Sequence, residues 1–354
     1  PAWRLDGIPA ESVRELDVLI AEDLEALLDE FRPRTIFNCI AFGAYSFQTD
    51  PGLIYRTNFL ATEQLLRLLQ DREIAAYVHA GSSSEYGANA SGPAEGAELA
   101  PNSDYAVSKA ACAHLISYYG TVRSLPCMNL RLYSIYGPLE DPSRLMPTLV
   151  GEAVRGTLPQ FVNPAVSRDF VFVEDACMAF IKAAVEMKPS LQGKSFNIGS
   201  GTKTTIGDLA ETARQVFGIA EEPRFTMAGR HWDLTDWFAD PSAAANALGI
   251  TPLGTVLGSA VVATEPDDFA VAPVYAVRKL LDRQGRSFAD IDVWEINEAF
   301  AAMVLTVLHD LPEIDREKVN PNGGAIALGH PVGASAARVV VDTCRTLQRQ
   351  GGGL

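Results

Sequence analysis

The chain has 354 residues, of which 47% are hydrophobic and 21% charged, and its formal net charge is −15. This composition indicates a folded protein of about two domains with a sizeable core, and it excludes intrinsic disorder. The acidic balance excludes a nucleic-acid-binding surface, which needs clustered Lys and Arg, and no apolar run reaches the about 18 residues of a membrane span.

Helical and strand patterns alternate through the first part of the chain. The predicted elements are, in order, a helix ending at residue 31, a strand over 34–42, a helix over 58–70, a strand over 74–84, a helix over 104–120 that Gly120 ends, and a strand over 126–137. Such alternation predicts βαβ units and a parallel sheet. Proline becomes frequent after residue 138, which predicts a smaller and less regular lobe.

The five cysteines are widely spaced and include no CxxC pair; they are Cys39, Cys112, Cys127, Cys177 and Cys344. A scattered, odd-numbered set indicates reduced, buried thiols in a cytoplasmic protein. No metal site is predicted.

A tyrosine and a lysine stand four residues apart in the helix predicted over 104–120. At this spacing Tyr105 and Lys109 lie on one face of the helix, one turn apart. An ammonium beside a phenol favours the phenolate, and such a phenol can exchange a proton with an alcohol or a ketone. Ser82 lies at the end of a predicted strand, where open α/β sheets bind ligands, so its hydroxyl is placed to bond the same substrate oxygen.

Five segments in a fixed order carry a family resemblance over residues 17–250. They are AGSSSEYG (80–87), PNSDYAVSK (101–109), LRLYSIYGP (130–138), SRDFVFVEDA (167–176) and FNIGSG (196–201). In this order they resemble the extended short-chain dehydrogenase/reductase family of NAD-dependent nucleotide-sugar epimerases, dehydratases and reductases. The resemblance implies a first domain over 1–250 with a Rossmann-type parallel sheet.

The resemblance also implies roles for single residues. Ser82 matches the hydroxyl that polarises the sugar carbonyl, Tyr105 the general acid/base, and Lys109 the residue that tunes Tyr105. Arg168 matches an arginine that binds the nucleotide diphosphate, for which a guanidinium fork is well suited, and Ser83 is a second candidate substrate contact. The candidate positions for binding NAD or NADP are Ala41, Phe42, Gly43, Asn58 and Lys109.

Two departures from the family pattern narrow the expected activity. Family dehydratases carry acidic residues just after the Ser82 position, where this chain has Ser83 and Ser84, so a nucleotide-sugar epimerase or a ketosugar reductase fits better. Glu85 follows, and its side chain points the other way if this stretch is extended.

The second departure is the strand–GxxGxxG–helix unit that opens the family fold. Gly7 is the single glycine before the strand predicted over 34–42, so no glycine-rich loop precedes that strand. Because the chain starts at Pro1 rather than Met, we expect a leading segment that is missing from this sequence or has been cleaved. We therefore expect an N-terminally truncated sheet without its first two strands, and weak binding of NAD by the chain as it stands.

Residues 254–354 resemble the C-terminal part of a thiolase, through NEAF (297–300) and NGGAIALGHPVGAS (322–335). This implies a second domain over 251–354, a thiolase-like α/β half that acts on a coenzyme A thioester such as an acyl-CoA. Asn297 matches a residue that holds a water in an oxyanion hole, and His330 matches the imidazole that activates the nucleophile.

The cysteines of thiolase catalysis have no counterpart in this chain. By the resemblance, the nucleophile belongs to the absent N-terminal half, and the second cysteine to a CxG segment beyond Leu354. Cys344 lies within a helix predicted over 334–349 and is interpreted as a core thiol.

Three functions stay open. They are an NAD(P)-dependent nucleotide-sugar epimerase or ketosugar reductase, a thiolase-related acyltransferase, and a catalytically inactive fusion or fragment. No Gly/Ser/Pro-rich linker separates the two resembling segments near residue 250. This abrupt joint is compatible with a truncated or rearranged reading frame, an assembled sequence or an engineered chimera. We favour the first function for family membership and the third for turnover by this chain alone; a homo-oligomer is compatible with each.

Overall fold

The computed structural model describes residues 2–45, 47–229, 234–248, 257–330 and 335–354. The chain divides into two compact units, Pro1–Ile250 and Thr251–Leu354, and each has a hydrophobic core of its own. The joint predicted near residue 250 lies outside the described residues. No helix in the described part is both long and apolar enough to cross a membrane.

The first unit is built of helices and strands in alternation. Its described strands are β1 (Thr35–Asn38), β2 (Ala76–Ser82), β3 (Cys127–Leu132), β4 (Ser134–Tyr136), β5 (Ser167–Arg168), β6 (Phe170–Phe172), β7 (Ser195–Ile198) and β8 (Thr204–Thr205). Its described α-helices are α1 (Ala21–Phe31), α2 (Pro51–Tyr55), α3 (Ala61–Leu69), α4 (Asp104–Thr121), α5 (Leu145–Val154), α6 (Val173–Val185), α7 (Ile206–Val216) and α8 (Ser242–Ala247).

The main sheet contains four parallel strands in the order β1-β2-β3-β7. The prediction of a parallel α/β fold is therefore confirmed. The strand predicted over 126–137 is divided at Tyr133, because β4 leaves the main sheet and pairs with β6. A second small pair, β5 with β8, is antiparallel.

Both faces of the main sheet are covered, as is usual for parallel sheets. Successive side chains of a strand point to opposite faces. Tyr77 of β2 packs with Leu66 and Ile116 on the face that α3 and α4 cover. Val78 packs with Phe180 on the face that α6 covers. The carboxyl end of β2 is therefore fixed between two cores.

Gly120 lies inside α4 and does not end it, so its predicted role as a helix stop is wrong. Its φ is not positive, and the helix continues to Thr121. A Cβ at position 120 would collide with the backbone of Gly193. The glycine is required because α4 passes close to the segment that leads into β7.

The described part of the second unit consists mainly of helices around a small core. The α-helices are α9 (Ala272–Gln284), α10 (Ala301–Asp310), α11 (Ala325–Leu328) and α12 (Ser335–Arg349). Val274, Val307 and Leu311 form the centre of the core. An isolated bridge joins Trp294 to Val319, next to the NEAF segment.

The expectation of five buried thiols is wrong for three of them. Cys112 and Cys127 are buried, but Cys39 and Cys177 are exposed and Cys344 is half-buried. Cys39 follows the last residue of β1, an edge strand, and Cys344 lies on α12, whose Val340 and Val341 are exposed.

Candidate active site

Tyr105 and Lys109 lie one turn apart on α4, as their spacing predicts. The helix begins after Ser103, whose Oγ accepts the N–H of Ala106 at 3.2 Å and so caps the first turn. Tyr105 is half-buried, and Lys109 Nζ lies 5.9 Å from the centre of its ring. The ammonium is thus the charge that α4 itself places beside the phenol.

The ammonium of Lys109 is fixed to the carboxyl end of β2. Lys109 is only 2% exposed, and Nζ donates a hydrogen bond to the carbonyl oxygen of Ala80 at 2.9 Å. A buried charge is tolerated only when it is well partnered. The bond therefore holds the lysine two residues from Ser82, at the edge of the sheet where Ser82 ends its strand.

The hydroxyl of Ser82 accepts one hydrogen bond, and its proton has no acceptor among the described residues. Ser82 is the last residue of β2, and its Oγ accepts the N–H of Ser84 at 3.1 Å, capping a short 3₁₀ turn over Ser83–Tyr86. A hydroxyl has one donor and two acceptor positions. The donor position is therefore available for a substrate oxygen.

Glu85 turns back toward Ser82, so the expectation that it points away is wrong. The stretch is a 3₁₀ turn and not an extended strand. The fully buried Glu85 carboxylate accepts the N–H of Ser82 at 3.0 Å, and its other oxygen lies 2.6 Å from Nε of Arg131 on β3. This ion pair fixes the turn that carries the candidate hydroxyl.

Arg131 extends this buried network to β7. Its Nη1 donates to the hydroxyl of Tyr86 at 2.7 Å and to the carbonyl of Glu95 at 2.9 Å. The hydroxyl of Tyr86 donates in turn to Oδ1 of Asn197 at 2.8 Å. One hydrogen-bonded cluster therefore connects the motifs around residues 80–87, 130–138 and 196–201. The sequence analysis, which treated each motif separately, did not predict this cluster.

The predicted cofactor turn packs against Tyr105. Gly43 has φ +93°, and a Cβ there would lie 2.8 Å from Ile54 Cγ1 and 3.4 Å from Tyr105 Cδ2. Only glycine combines this backbone conformation with so close an approach. The structure thus brings the turn of Ala41, Phe42 and Gly43 next to the phenol.

Asn58 holds this turn in place. Its Oδ1 accepts the N–H of Phe42 at 2.7 Å, and its Nδ2 donates to the carbonyl of Phe42 at 2.8 Å and to Ser108 Oγ at 2.9 Å. A π-helical turn over Arg56–Leu60 places Asn58 between α2 and α3, and such turns often occur at functional sites. Both N–H donors of the amide and one acceptor position of its oxygen are bonded within the protein, so Asn58 acts on the turn that passes Tyr105.

The predicted substrate contacts lie in two places. Ser83 is buried in the 3₁₀ turn. Arg168 on β5 donates from Nη1 to the carbonyl of Ser167 at 2.7 Å, and its guanidinium lies 5.0 Å from the centre of the Trp237 ring. A guanidinium held over an aromatic face is well placed for a planar, charge-assisted contact.

Asp169, beside Arg168, holds several backbone segments together, a role that the sequence analysis did not predict. It is fully buried and accepts hydrogen bonds from the N–H and hydroxyl of Ser200 at 2.7 Å each. It also accepts the N–H groups of Gly201 at 3.0 Å and Ala239 at 3.1 Å. The GSG segment after β7 is a turn around this carboxylate.

In the second unit, a carboxylate joins the two thiolase-like segments. Glu298 accepts Nδ2 of Asn320 at 2.9 Å and the N–H of Ile326 at 2.9 Å. Asn297 lines a small cavity with Gly323 and Gly324. His330 is exposed, and the following residues 331–334 of its predicted loop lie outside the described part.

The same cavity contains an unexpected acidic side chain. Burial, together with the negative charges of Asp342 and Glu298, raises the pKa of Glu295 to about 7. Its Oε1 is buried and has no hydrogen-bond partner in the described residues. Glu295 precedes NEAF in the sequence, but its like-charged neighbour Asp342 comes from α12, so sequence alone did not indicate the pair.

Comparison with known families assigns both units. Residues 2–199 match the NAD dependent epimerase/dehydratase family, which is more than half of the chain, and the chain belongs to this family. Residues 250–354 match the C-terminal domain of thiolase. Both predicted resemblances are therefore confirmed.

Solved epimerases share the fold of the first unit. The UDP-glucuronic acid 4-epimerase of Bacillus cereus, in complex with NAD, is 24% identical, covers 72% of this chain and 80% of its own, and has a TM-score of 0.61. The UDP-glucose 4-epimerase of Thermus thermophilus, in complex with NAD, is 25% identical, covers 71% of this chain and 85% of its own, and has a TM-score of 0.58.

The second unit is similar to acetyl-CoA acetyltransferases. The mitochondrial acetyl-CoA acetyltransferase B of Xenopus laevis is 47% identical over 106 residues, which is 30% of this chain and 25% of that protein. The chain thus spans about a quarter of the length of this relative.

Proposed function

We propose that the first unit carries the proton-transfer site of an NAD-dependent nucleotide-sugar epimerase. The observation that carries the proposal is the grouping of Tyr105 and Lys109 on α4, beside the turn of residues 41–43, with Lys109 bonded two residues before Ser82. Tyr105 exchanges a proton with the sugar oxygen, Ser82 donates a hydrogen bond to the same oxygen, and the Lys109 ammonium stabilises the phenolate.

The residues present fit one half of the cofactor. The turn of residues 41–43 and Lys109 would hold the nicotinamide riboside half, because they flank Tyr105. A bound NAD would supply a reversible hydride acceptor for the sugar carbon. The pyrophosphate half needs the N–H groups of a glycine-rich loop at a helix start, and the 354 residues contain no GxxGxxG. We therefore expect weak binding of NAD by this chain.

The state of Glu85 supports an epimerase or ketosugar reductase over a dehydratase. Elimination of water needs an acid and a base beside the sugar. Positions 83 and 84 hold serines, and the nearest carboxylate, Glu85, is fully buried and paired with Arg131. No carboxylate in this turn is thus available to act on a substrate.

Arg168 and the solved relatives support a nucleotide sugar as the proposed substrate class. A guanidinium binds a diphosphate through a planar fork, and the two solved structures described above are UDP-sugar epimerases. Arg168 is the residue proposed to bind the diphosphate of a nucleotide sugar. For the second unit, the proposed ligand class is an acyl-CoA.

Isothermal titration with UDP-glucose and UDP-glucuronic acid tests the proposal. We expect measurable affinity for at least one of them, lowered about tenfold or more in Arg168→Ala. The control is Arg155→Ala, which removes an exposed arginine paired with Glu152 and should leave the affinity unchanged within about twofold. A parallel titration should give no micromolar affinity for NAD. Equal affinities of wild type and Arg168→Ala, or no binding of either sugar nucleotide, would refute the assignment.

A further inference from the structure

A row of polar side chains crosses the whole main sheet at one register position. Asn38 of β1 pairs with His79 of β2, His79 with Asn129 of β3, and Asn129 with Ser195 of β7. Asn38 is 5% exposed, and His79 and Asn129 are fully buried. Parallel strands covered on both faces are usually apolar, so such a row must satisfy its polar atoms internally.

The β1 side of the row fixes the proton of His79. Nδ2 of Asn38 donates to the hydroxyl of Tyr77 at 2.8 Å, and this hydroxyl lies 3.2 Å from Nδ1 of His79. Oδ1 of Asn38 accepts the N–H of Ile40, so the NH₂ group of Asn38 faces the ring and also lies 3.4 Å from Nδ1 of His79. An NH₂ group only donates, so Nδ1 is an acceptor and Nε2 carries the proton of the neutral ring. Burial lowers the pKa of His79 well below its usual range, and Lys109 lowers it further, in agreement with a neutral imidazole.

The β7 side of the row fixes the amide of Asn129. Nδ2 lies 3.2 Å from a carboxylate oxygen of Glu85 and 3.2 Å from Ser195 Oγ. A carboxylate only accepts hydrogen bonds, so the NH₂ group must face Glu85. The amide oxygen of Asn129 is therefore the acceptor end of the side chain, and it lies against Gly81.

At the centre of the row, one hydrogen-bond donor and one acceptor have no partner among the described residues. Nε2 of His79 and Oδ1 of Asn129 are buried and have no hydrogen-bond partner among the described residues. They belong to paired residues of adjacent strands, whose backbones are about 4.7–4.9 Å apart, so neighbouring side chains on this face of the sheet are separated by a distance of that order. Two hydrogen bonds of about 2.8 Å that meet at a tetrahedral angle span about 4.6 Å, the reach of a single water molecule.

We propose that one buried water bridges His79 Nε2 and Asn129 Oδ1 and accepts a further hydrogen bond from Lys109 Nζ. The water then accepts from two donors and donates to the amide oxygen, which matches its capacity. Lys109 Nζ is bonded to the carbonyl of Ala80, the residue next to His79, and an ammonium has three donors. Gly81 completes the site, because a Cβ there would collide with Asn129 Oδ1.

The water makes His79 and Asn129 positioning residues for Lys109. Their importance for catalysis rests on the proposed function, in which Lys109 acts beside Tyr105. The water itself can be tested without any turnover, so the two proposals fail separately. Sugar-nucleotide binding without the water contradicts only the water site, and the water without sugar-nucleotide binding contradicts only the proposed function.

A crystal structure of the full chain at about 1.6 Å resolution is the direct test. We expect a density peak within about 3.2 Å of His79 Nε2, Asn129 Oδ1 and Lys109 Nζ. Direct contact between His79 and Asn129, or a dry gap between them, would overturn the proposal.

Proton exchange of the Lys109 ammonium, measured by ¹⁵N NMR, gives a second readout. In His79→Phe, which keeps the ring and removes the donor, we expect exchange at least about tenfold faster than in the wild type. His79→Gln, which keeps an N–H donor, should restore slow exchange. The same rate in wild type and both variants would contradict the role of the water, even if His79→Phe lowers stability.

Discussion

Glu85 reaches back three residues to accept the backbone N–H of Ser82 at 3.0 Å. Through this contact a buried ion pair with Arg131 fixes the backbone of the residue that ends β2. The candidate hydroxyl is thus placed by a carboxylate that itself has no free oxygen for catalysis.

Replacement of Glu85 should be costly for folding. Glu85→Ala leaves the guanidinium of Arg131 buried without its carboxylate, and we expect a loss of about 3–5 kcal/mol in the free energy of unfolding. Glu63→Ala is the matched control, because it removes an exposed pair with Arg67 and should cost less than about 1 kcal/mol. Urea unfolding followed by circular dichroism measures both, and similar losses would contradict the role of the buried pair.

The turn beside Tyr105 should not tolerate a side chain at position 43. Gly43→Ala adds a Cβ where φ is +93° and Ile54 is 2.8 Å away, so we expect a loss of about 1–3 kcal/mol. Gly151 lies in α5 with nothing near its Cβ position, and Gly151→Ala should stabilise the chain by about 0.5–1 kcal/mol. Thermal unfolding distinguishes the two, and a neutral Gly43→Ala would show that the turn is not held as described.

Glu295 should make stability depend on pH near neutrality. Its pKa in the folded state is about 7, above the ordinary value of 4.5, so folding favours the protonated form. The contribution is fully present below about pH 4.5 and is lost as the pH rises through about 7. Glu295→Gln should therefore raise Tm by about 2 °C or more at pH 8 and change it little at pH 5.

The exposed Glu317→Gln is the control for this effect, and its change in Tm should be the same at both pH values. An equal effect of Glu295→Gln at pH 5 and pH 8 would mean that Glu295 is not the titrating group.

Acetyl transfer by the second unit should be absent. A thiolase-type reaction needs a thiolate within reach of the His330 imidazole, and the single cysteine of residues 251–354 is Cys344 on α12. After incubation with acetyl-CoA, intact mass spectrometry should show no acetyl group on Cys344. An adduct that disappears in His330→Ala would reverse this conclusion.

Sequence predicted the parts of the site that depend on local geometry. The spacing of Tyr105 and Lys109 determines their common helix face, and Ser82 follows from the end of an apolar run. The turn at Glu85 is also encoded locally, because Ser82-x-x-Glu85 has the pattern of a capping box, which favours a helical turn over an extended stretch. The polar row is different, because the pairing of Asn38 with His79 depends on strand register, which short apolar runs do not specify.

Close approaches between distant segments were also beyond prediction. Gly120 stands near the end of its helix, where a glycine usually stops a helix. Glycine is needed there because the backbone of Gly193, from a segment far along the chain, lies where a Cβ would be. Asp169 is similar, because its partners in the segments around 200 and 239 are brought to it only by the fold.

The most direct test of the account is a crystal structure of the chain with bound UDP-glucose or UDP-glucuronic acid. The account predicts the diphosphate at the guanidinium of Arg168 and a hexose hydroxyl within hydrogen-bond distance of both Ser82 Oγ and Tyr105 Oη. A sugar nucleotide bound elsewhere, or a hexose that reaches neither hydroxyl, would contradict the claim that the first unit carries an epimerase site.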